Sequence, residues 1–169
     1  MSIIKSSFGF KGIFEISCCD KNGNFKWKEK IYNLTLDAAI NDNLTIYFKD
    51  GTKKTIWYVG LKSSAEAVSA AWTSANVNSG FTEFQLYDET NRPIWTSGSV
   101  SSKSVSNTAS PAVFTVNATG TIWGAFIISQ NTKGGTTGIL WCCSNLVSVR
   151  NVYDDDVITV IYTITGTDV

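Results

Sequence analysis

Three carboxylates stand side by side near the C-terminus, Asp154, Asp155 and Asp156, directly before a β-branched run from Val157 to Thr165. Such a cluster could hold a hard cation, because Ca²⁺ and Mg²⁺ take oxygen ligands. No second acidic cluster accompanies it: Asp20, Asp37, Asp42, Asp50 and Asp88 fall in separate turns or on a helix. The triplet therefore reads as the polar entrance of a strand, with carboxylates accepting backbone N–H bonds in an Asx-type turn. Glu83 with one of these aspartates would be the carboxylate pair of a glycosidase, which needs both groups on one glycosidic bond. Nothing in the sequence makes them converge, and Glu83 serves equally well as the anchor of a turn.

The chain has no histidine. That removes Ser-His and Cys-His catalysis and most zinc sites together. Its four cysteines form two adjacent pairs, Cys18-Cys19 and Cys142-Cys143, without the Cys-x-x-Cys gap that chelates zinc. Neighbouring strand residues face opposite ways, so each pair is expected to give one buried and one outward thiol, both reduced. Lys133-Gly134-Gly135-Thr136-Thr137-Gly138 lacks the helix that a phosphate-binding loop must open, and reads as a flexible turn. No catalytic residue, metal or cofactor is expected. For binding, Tyr87, Arg92 and Trp95 are the candidates for stacking on and hydrogen bonding to a sugar. Ser101 and Ser102 belong to a Ser-rich stretch, Thr96 to Ser110, read as an exposed loop open to a partner.

These residues have to be positioned by strands. Two prolines in 169 residues, with many Gly, Ser, Thr, Val and aromatic residues, point to a mainly β chain closed by polar turns. Gly12 to Cys19 and Phe25 to Tyr32 flank Asp20-Lys21-Asn22-Gly23-Asn24, a hairpin with its Asn-Gly turn. In Lys26-Trp27-Lys28-Glu29-Lys30 the alternation puts the charges on the wet face. Leu36, Ala39, Ile40, Leu44 and Tyr47 or Phe48 make an apolar stripe on a helix near 35–48, which should pack over a sheet. Ser63-Ser64-Ala65-Glu66 has the form of a capping box, followed by Val68 and Trp72, and predicts a second short helix. Strands follow at Thr82 to Tyr87, Ala112 to Val116, Ile122 to Ser129, Ile139 to Cys143 and Val157 to Thr165. The order fits one two-layer β sandwich over 1–169, of Greek-key or jelly-roll type, with one or two short helices at one end. Both faces of the last strand are apolar, so it is expected to be central or covered by a neighbouring subunit.

With 14 basic and 14 acidic residues the chain has no field to hold nucleic acid. Its start lacks the pattern of a signal peptide, and no apolar run approaches the ~20 residues that span a bilayer. No membrane is expected as partner, and synthesis in cytoplasm is.

The hairpin with Asp20-Lys21-Asn22-Gly23 and Lys26-Trp27 is followed by Tyr32-Asn33-Leu34-Thr35 and by Trp57-Tyr58-Val59-Gly60-Leu61. Gly80-Phe81-Thr82-Glu83, Tyr87 and Arg92-Pro93-Ile94-Trp95 come next. Gly120-Thr121-Ile122-Trp123-Gly124-Ala125-Phe126 and Asp156-Val157-Ile158-Thr159-Val160-Ile161-Tyr162-Thr163 complete the series. In this order the phrases resemble a family of small tailed-bacteriophage structural proteins encoded among capsid morphogenesis genes. The resemblance implies a virion component, an auxiliary or decoration protein on the capsid exterior. Its expected partners are the major capsid protein or another virion protein and further copies of itself. The contacts are expected at the 96–110 loop or the N-terminal residues Met1 to Phe10. A sugar- or receptor-binding module of a head fibre or tail appendage is the alternative.

Overall fold

The computed structural model describes residues 8–168; of the N-terminal contact expected at Met1 to Phe10, residues 1–7 lie outside them and Phe8 to Phe10 open the first strand. Two five-stranded antiparallel sheets pack face to face. The first has the order β2(Phe25–Tyr32)-β1(Phe8–Cys19)-β10(Val157–Asp168)-β6(Ser104–Ser106), with β7(Ala112–Thr115) also on β10. The second has the order β3(Leu34–Thr35)-β9(Leu140–Val152)-β8(Gly120–Ile128)-β4(Tyr58–Lys62)-β5(Glu83–Phe84). One helix, α1(Asp37–Phe48), links β3 to β4. The mainly β sandwich read from the sequence is the architecture observed.

The hairpin forms as its turn chemistry dictates. Gly23 has φ 81°, and the Asp20 carboxylate accepts from the backbone amides of Asn22 and Asn24 and from the Asn24 side chain. On β2 the alternation holds with one exception. Lys28 and Lys30 face outward and pair with Glu15, while Trp27, Glu29 and Ile31 face inward. Glu29 is therefore buried rather than wet. It accepts from Arg150 Nε (2.6 Å) and from the Val147 amide, tying the first sheet to the far end of β9.

The last strand is central, between β1 on one edge and β6 and β7 on the other. Ile158, Val160 and Tyr162 are fully buried between the sheets, whereas Val157, Thr159, Ile161 and Thr163 form a half-buried outer face. β7 pairs with β10 from Val157 to Val160 and β6 from Thr163 to Thr165, which leaves a gap in the ladder. Asn107 fills it. Fully buried, it donates to the Val160 carbonyl and accepts from the Tyr162 amide, as a backbone rung would. The Ser-rich stretch is thus partly sheet, not wholly loop.

The predicted helix after Ser63 does not form. Ser64 Oγ instead accepts from the Thr82 amide, and the Glu66 carbonyl accepts from Lys62 and Asn145. The segment lies as an irregular cover over the outer face of the second sheet. There Val68 and Trp72 pack with Val77, Phe81, Phe126, Ile128, Leu140 and Cys143 in a second apolar cluster. A short 3₁₀ turn at Ser74–Asn76 carries the capping box, from Thr73 and Asn76. Phe126 lies directly across Gly60, where a β-carbon would stand 2.1 Å from its ring, so the ring occupies the place of the missing side chain.

Because the second sheet is covered on both faces, Cys142 and Cys143 are both buried, contrary to the one-in, one-out expectation. Cys18 is buried and Cys19 half-buried, as alternation requires. Burial pushes the Cys18 and Cys143 thiols up to about 12, raises Cys142 well above the usual thiol range, and raises the Tyr87 and Tyr162 phenols. Burial acts oppositely on Lys62, lowering its pKa. Iodoacetamide should therefore mark Cys19 alone in the native protein, read as a single adduct by intact mass. An acid whose folded pKa is raised contributes stability that is present below its unfolded value and lost as pH rises toward the folded one. Three thiols and two phenols outweigh the two lysines whose pKa burial lowers, Lys62 and Lys133, so the melting temperature should fall from about pH 9 upward. A flat profile to pH 11 in a calorimetric series would contradict the burial of these groups.

Candidate functional site

Three of the five residues proposed for binding are interior. Tyr87 and Arg92 are each 1% exposed and Trp95 is 8% exposed, so none is a residue of the open surface. Ser101 and Ser102 are exposed, at a tight turn where Ser102 has φ 49° and Ser101 and Ser104 exchange backbone hydrogen bonds. The sequence offered Tyr87, Arg92 and Trp95 as exposed groups for stacking on and hydrogen bonding to a sugar. The segment from Gln85 to Ile94 runs irregularly instead and turns these side chains into the molecule.

Arg92 meets Glu83 there. Its Nε donates to Glu83 Oε1 at 2.7 Å and its Nη2 to Oε2 at 2.8 Å, both side chains being wholly buried. The remaining donors reach the Gln130 and Gly135 carbonyls, and the Gly134 amide donates to Glu83 Oε2 at 2.6 Å. The Lys-Gly-Gly turn is therefore clamped onto the ion pair, with Gly134 at φ 69°. Lys133 donates to the Tyr87 carbonyl and lies 3.8 Å from the centre of that ring, and burial lowers its pKa. Both oxygens of Glu83 are occupied, which makes it the turn anchor and leaves no lone carboxylate for acid–base work.

The acidic triplet resolves in the same direction. Asp156 is buried, accepts from the Tyr153 amide at 2.8 Å and pairs with Lys26. Asp155 has φ 64°, and its amide donates to the Val116 carbonyl. Asp154 is exposed. The turn closes the entrance to β10 as read. Among the described residues no group of three or more Asp, Glu, Cys or His side chains converges in a way that could hold a metal.

The surface around α1 has a different character. Leu36 and Ala39 are buried, but Ile40, Leu44, Tyr47 and Phe48 are exposed, Tyr47 and Phe48 at 77% each. The apolar stripe seen in the sequence exists, yet most of it does not pack on a sheet. The helix is fastened at its start, where the Leu36 amide donates to the Trp141 carbonyl and the Asp37 amide to Ala70. Asp42 pairs with Lys54 at 3.7 Å farther along. On one side of α1 a groove of about 890 Å³ runs between the helix, β3 and the start of β1, with Leu34, Ile40, Leu44, Tyr47 and Phe48 along it. On the other side a smaller pocket enters the end of the sandwich beside Trp57 and Trp141. Leu34 in the groove is itself exposed, and exposed Tyr32 stands two residues before it in the chain. Sequence reasoning found the stripe but assigned it to the core; an unusual excess of apolar residues on a short helix was the available signal.

No family model matches this chain, and no curated protein matches it. No helix among the described residues is long and apolar enough to cross a membrane.

Removing the partner of a buried guanidinium leaves an uncompensated charge, at a cost of about 3–5 kcal/mol. Glu83→Gln should lower unfolding stability by that order in urea titrations. Adding Arg92→Met to it should not restore stability, because the Gln130 and Gly135 carbonyls then lose their guanidinium donors.

Proposed function

We propose that this protein is an auxiliary structural subunit of a tailed-bacteriophage particle, docking through the α1 face onto the shell or another virion protein and stabilising it. The observation that carries the reading is the apolar area formed by Tyr32, Leu34, Ile40, Leu44, Tyr47 and Phe48, all exposed on neighbouring elements. Contiguous exposed apolar surface of this kind is characteristic of docking sites. Large aromatic anchors dominate the energetics of such interfaces.

The interior supports the same reading. Its strong polar groups are engaged in holding loops: Glu83 with Arg92, Asp156 with Lys26, and Glu29 with Arg150. The resemblance in the sequence points to the class of partner, and the exposed apolar residues of α1 support docking through that face. Further copies of the chain around the shell would share that mode of attachment.

Particles assembled without this protein provide the test. Added back, the wild-type protein should bind them at saturating stoichiometry and raise the temperature at which they release their contents. Leu44→Asp with Tyr47→Asp changes two exposed side chains and should leave the circular-dichroism spectrum and melting temperature unchanged. Losing two apolar anchors at about 1.5–3 kcal/mol each predicts at least about a hundredfold weaker attachment. Absence of wild-type binding, or equal binding by the double variant, would reject this face as the docking surface.

A further inference from the structure

The smaller pocket beside α1 has a chemistry of its own, and shares only Tyr47 with the apolar residues of the docking face. It holds about 360 Å³ and is walled by Trp57, Trp95, Trp141, Ile127 and Ile164. Both buried indole N–H groups are turned away and satisfied: Trp95 donates to the Tyr162 carbonyl at 2.9 Å and Trp141 to the Tyr162 hydroxyl at 3.2 Å. Trp57 stands edge-on to Trp141, with centroids 5.6 Å apart. These two deep indoles therefore offer the pocket ring surface and no donor. A sugar placed there would set hydroxyls against aromatic and aliphatic carbon, and an unpaired buried hydroxyl is disfavoured by roughly 1–3 kcal/mol.

The polar groups that line the pocket come from α1 and the loop after it: Asp42, Asn43, Tyr47, Lys53 and Lys54. Two of them are engaged with each other, Asp42 with Lys54 at 3.7 Å. Asn43 donates to the Ala39 carbonyl within the helix. Lys53 is exposed and has no ion-pair partner among the described residues. The rim thus carries two cations against one carboxylate, and the free cation stands beside an apolar interior. A cavity of this size with few polar groups to fix orientation is the usual form of a small-ligand site.

We propose that this pocket binds a small amphiphilic carboxylate, with an aromatic or short alkyl body between Trp57, Trp95 and Trp141 and the carboxylate at Lys53. The apolar body supplies most of the affinity through burial against the rings. The lysine supplies orientation and a modest electrostatic gain, because its end of the site stays wet.

The probes are 3-phenylpropionate, the matching alcohol 3-phenylpropanol, and glucose, titrated into the full chain while the indole N–H resonances of Trp57, Trp95 and Trp141 are followed by NMR. Phenylpropionate should shift these resonances with a dissociation constant of about 1 mM or tighter and bind about fivefold tighter than the alcohol. Lys53→Gln, an exposed position, should abolish that difference and leave the alcohol's affinity unchanged. Trp57→Ala should weaken both ligands by about tenfold. No shift of the three indoles with phenylpropionate, equal affinity for acid and alcohol, or preferential binding of glucose would each overturn the proposal. Tyr47 also lines the pocket, so the titrations use the native α1, and loss of shell attachment in the Leu44 and Tyr47 variant bears on the docking role alone.

Discussion

The buried pair of Glu83 and Arg92 is the constraint on which the irregular half of the molecule depends. A wholly buried carboxylate and guanidinium each lose strong hydration, so the pair is tolerable only if geometry and further hydrogen bonds compensate. Here they do: two parallel bonds join the side chains, and three backbone groups of the 130–135 turn complete the set. β5, the 88–95 segment and the glycine turn are thereby fixed to one another without regular sheet between them. The consequence runs onward along the chain. With Arg92 held, the Pro93 carbonyl accepts from the Val59 amide and the Trp95 amide donates to the Trp57 carbonyl, which aligns this segment beside β4. Trp95 then reaches Tyr162 in the middle of β10, and the far wall of the indole pocket is set.

The two sheets are treated unequally by what lies outside them. The second sheet is covered by the 63–82 segment, which buries Phe126, Ile128, Leu140 and Cys143 on its outer face. The first sheet keeps an outer face of threonines, half-buried aliphatics and the Glu15 cluster with Lys28 and Lys30, a surface that can meet water directly. α1 follows neither pattern. A 12-residue helix is marginal alone in water and normally draws its stability from a packed apolar face. This one is packed through Leu36 and Ala39 only at its start, so its second half gains little from the fold. A partner that covered Leu44, Tyr47 and Phe48 would bury the stripe and stabilise the helix in one step.

Where the sequence was legible, a local rule had no competitor. The Asp20–Asn24 turn, the central last strand and the closing role of Asp156 each follow from turn chemistry or from alternation over a long run. The reading failed where tertiary contacts outbid local preference. Ser63 and Glu66 have the spacing of a capping box, but the outer face of the second sheet needed a cover, and an extended chain brings both Val68 and Trp72 onto it. Ser104 to Ser106 look like loop by composition and become sheet because β10 presents an unpaired edge and Asn107 bridges the interruption. Tyr87, Arg92 and Trp95 look like surface because aromatic and charged residues near a turn usually are. Only the distant turn at 130–135 makes an interior arginine possible.

The phrases that carry the resemblance have a definite place in this structure. Glu83, Tyr87, Arg92, Trp95, Gly124, Phe126, Asp156 and Tyr162 are all buried, and most of them take part in the clamp, the inter-sheet core or the closing turn. They specify how loops are locked onto sheets, which is why a sequence reading built on them reaches the architecture and stops short of a contact surface. The residues facing outward from α1 belong to none of those phrases. Tyr32-Asn33-Leu34-Thr35 leads up to the helix, and the pattern then passes on to Trp57. The interior therefore holds the start of the helix in place, while Ile40, Leu44, Tyr47 and Phe48 contribute almost nothing to the packing of the fold.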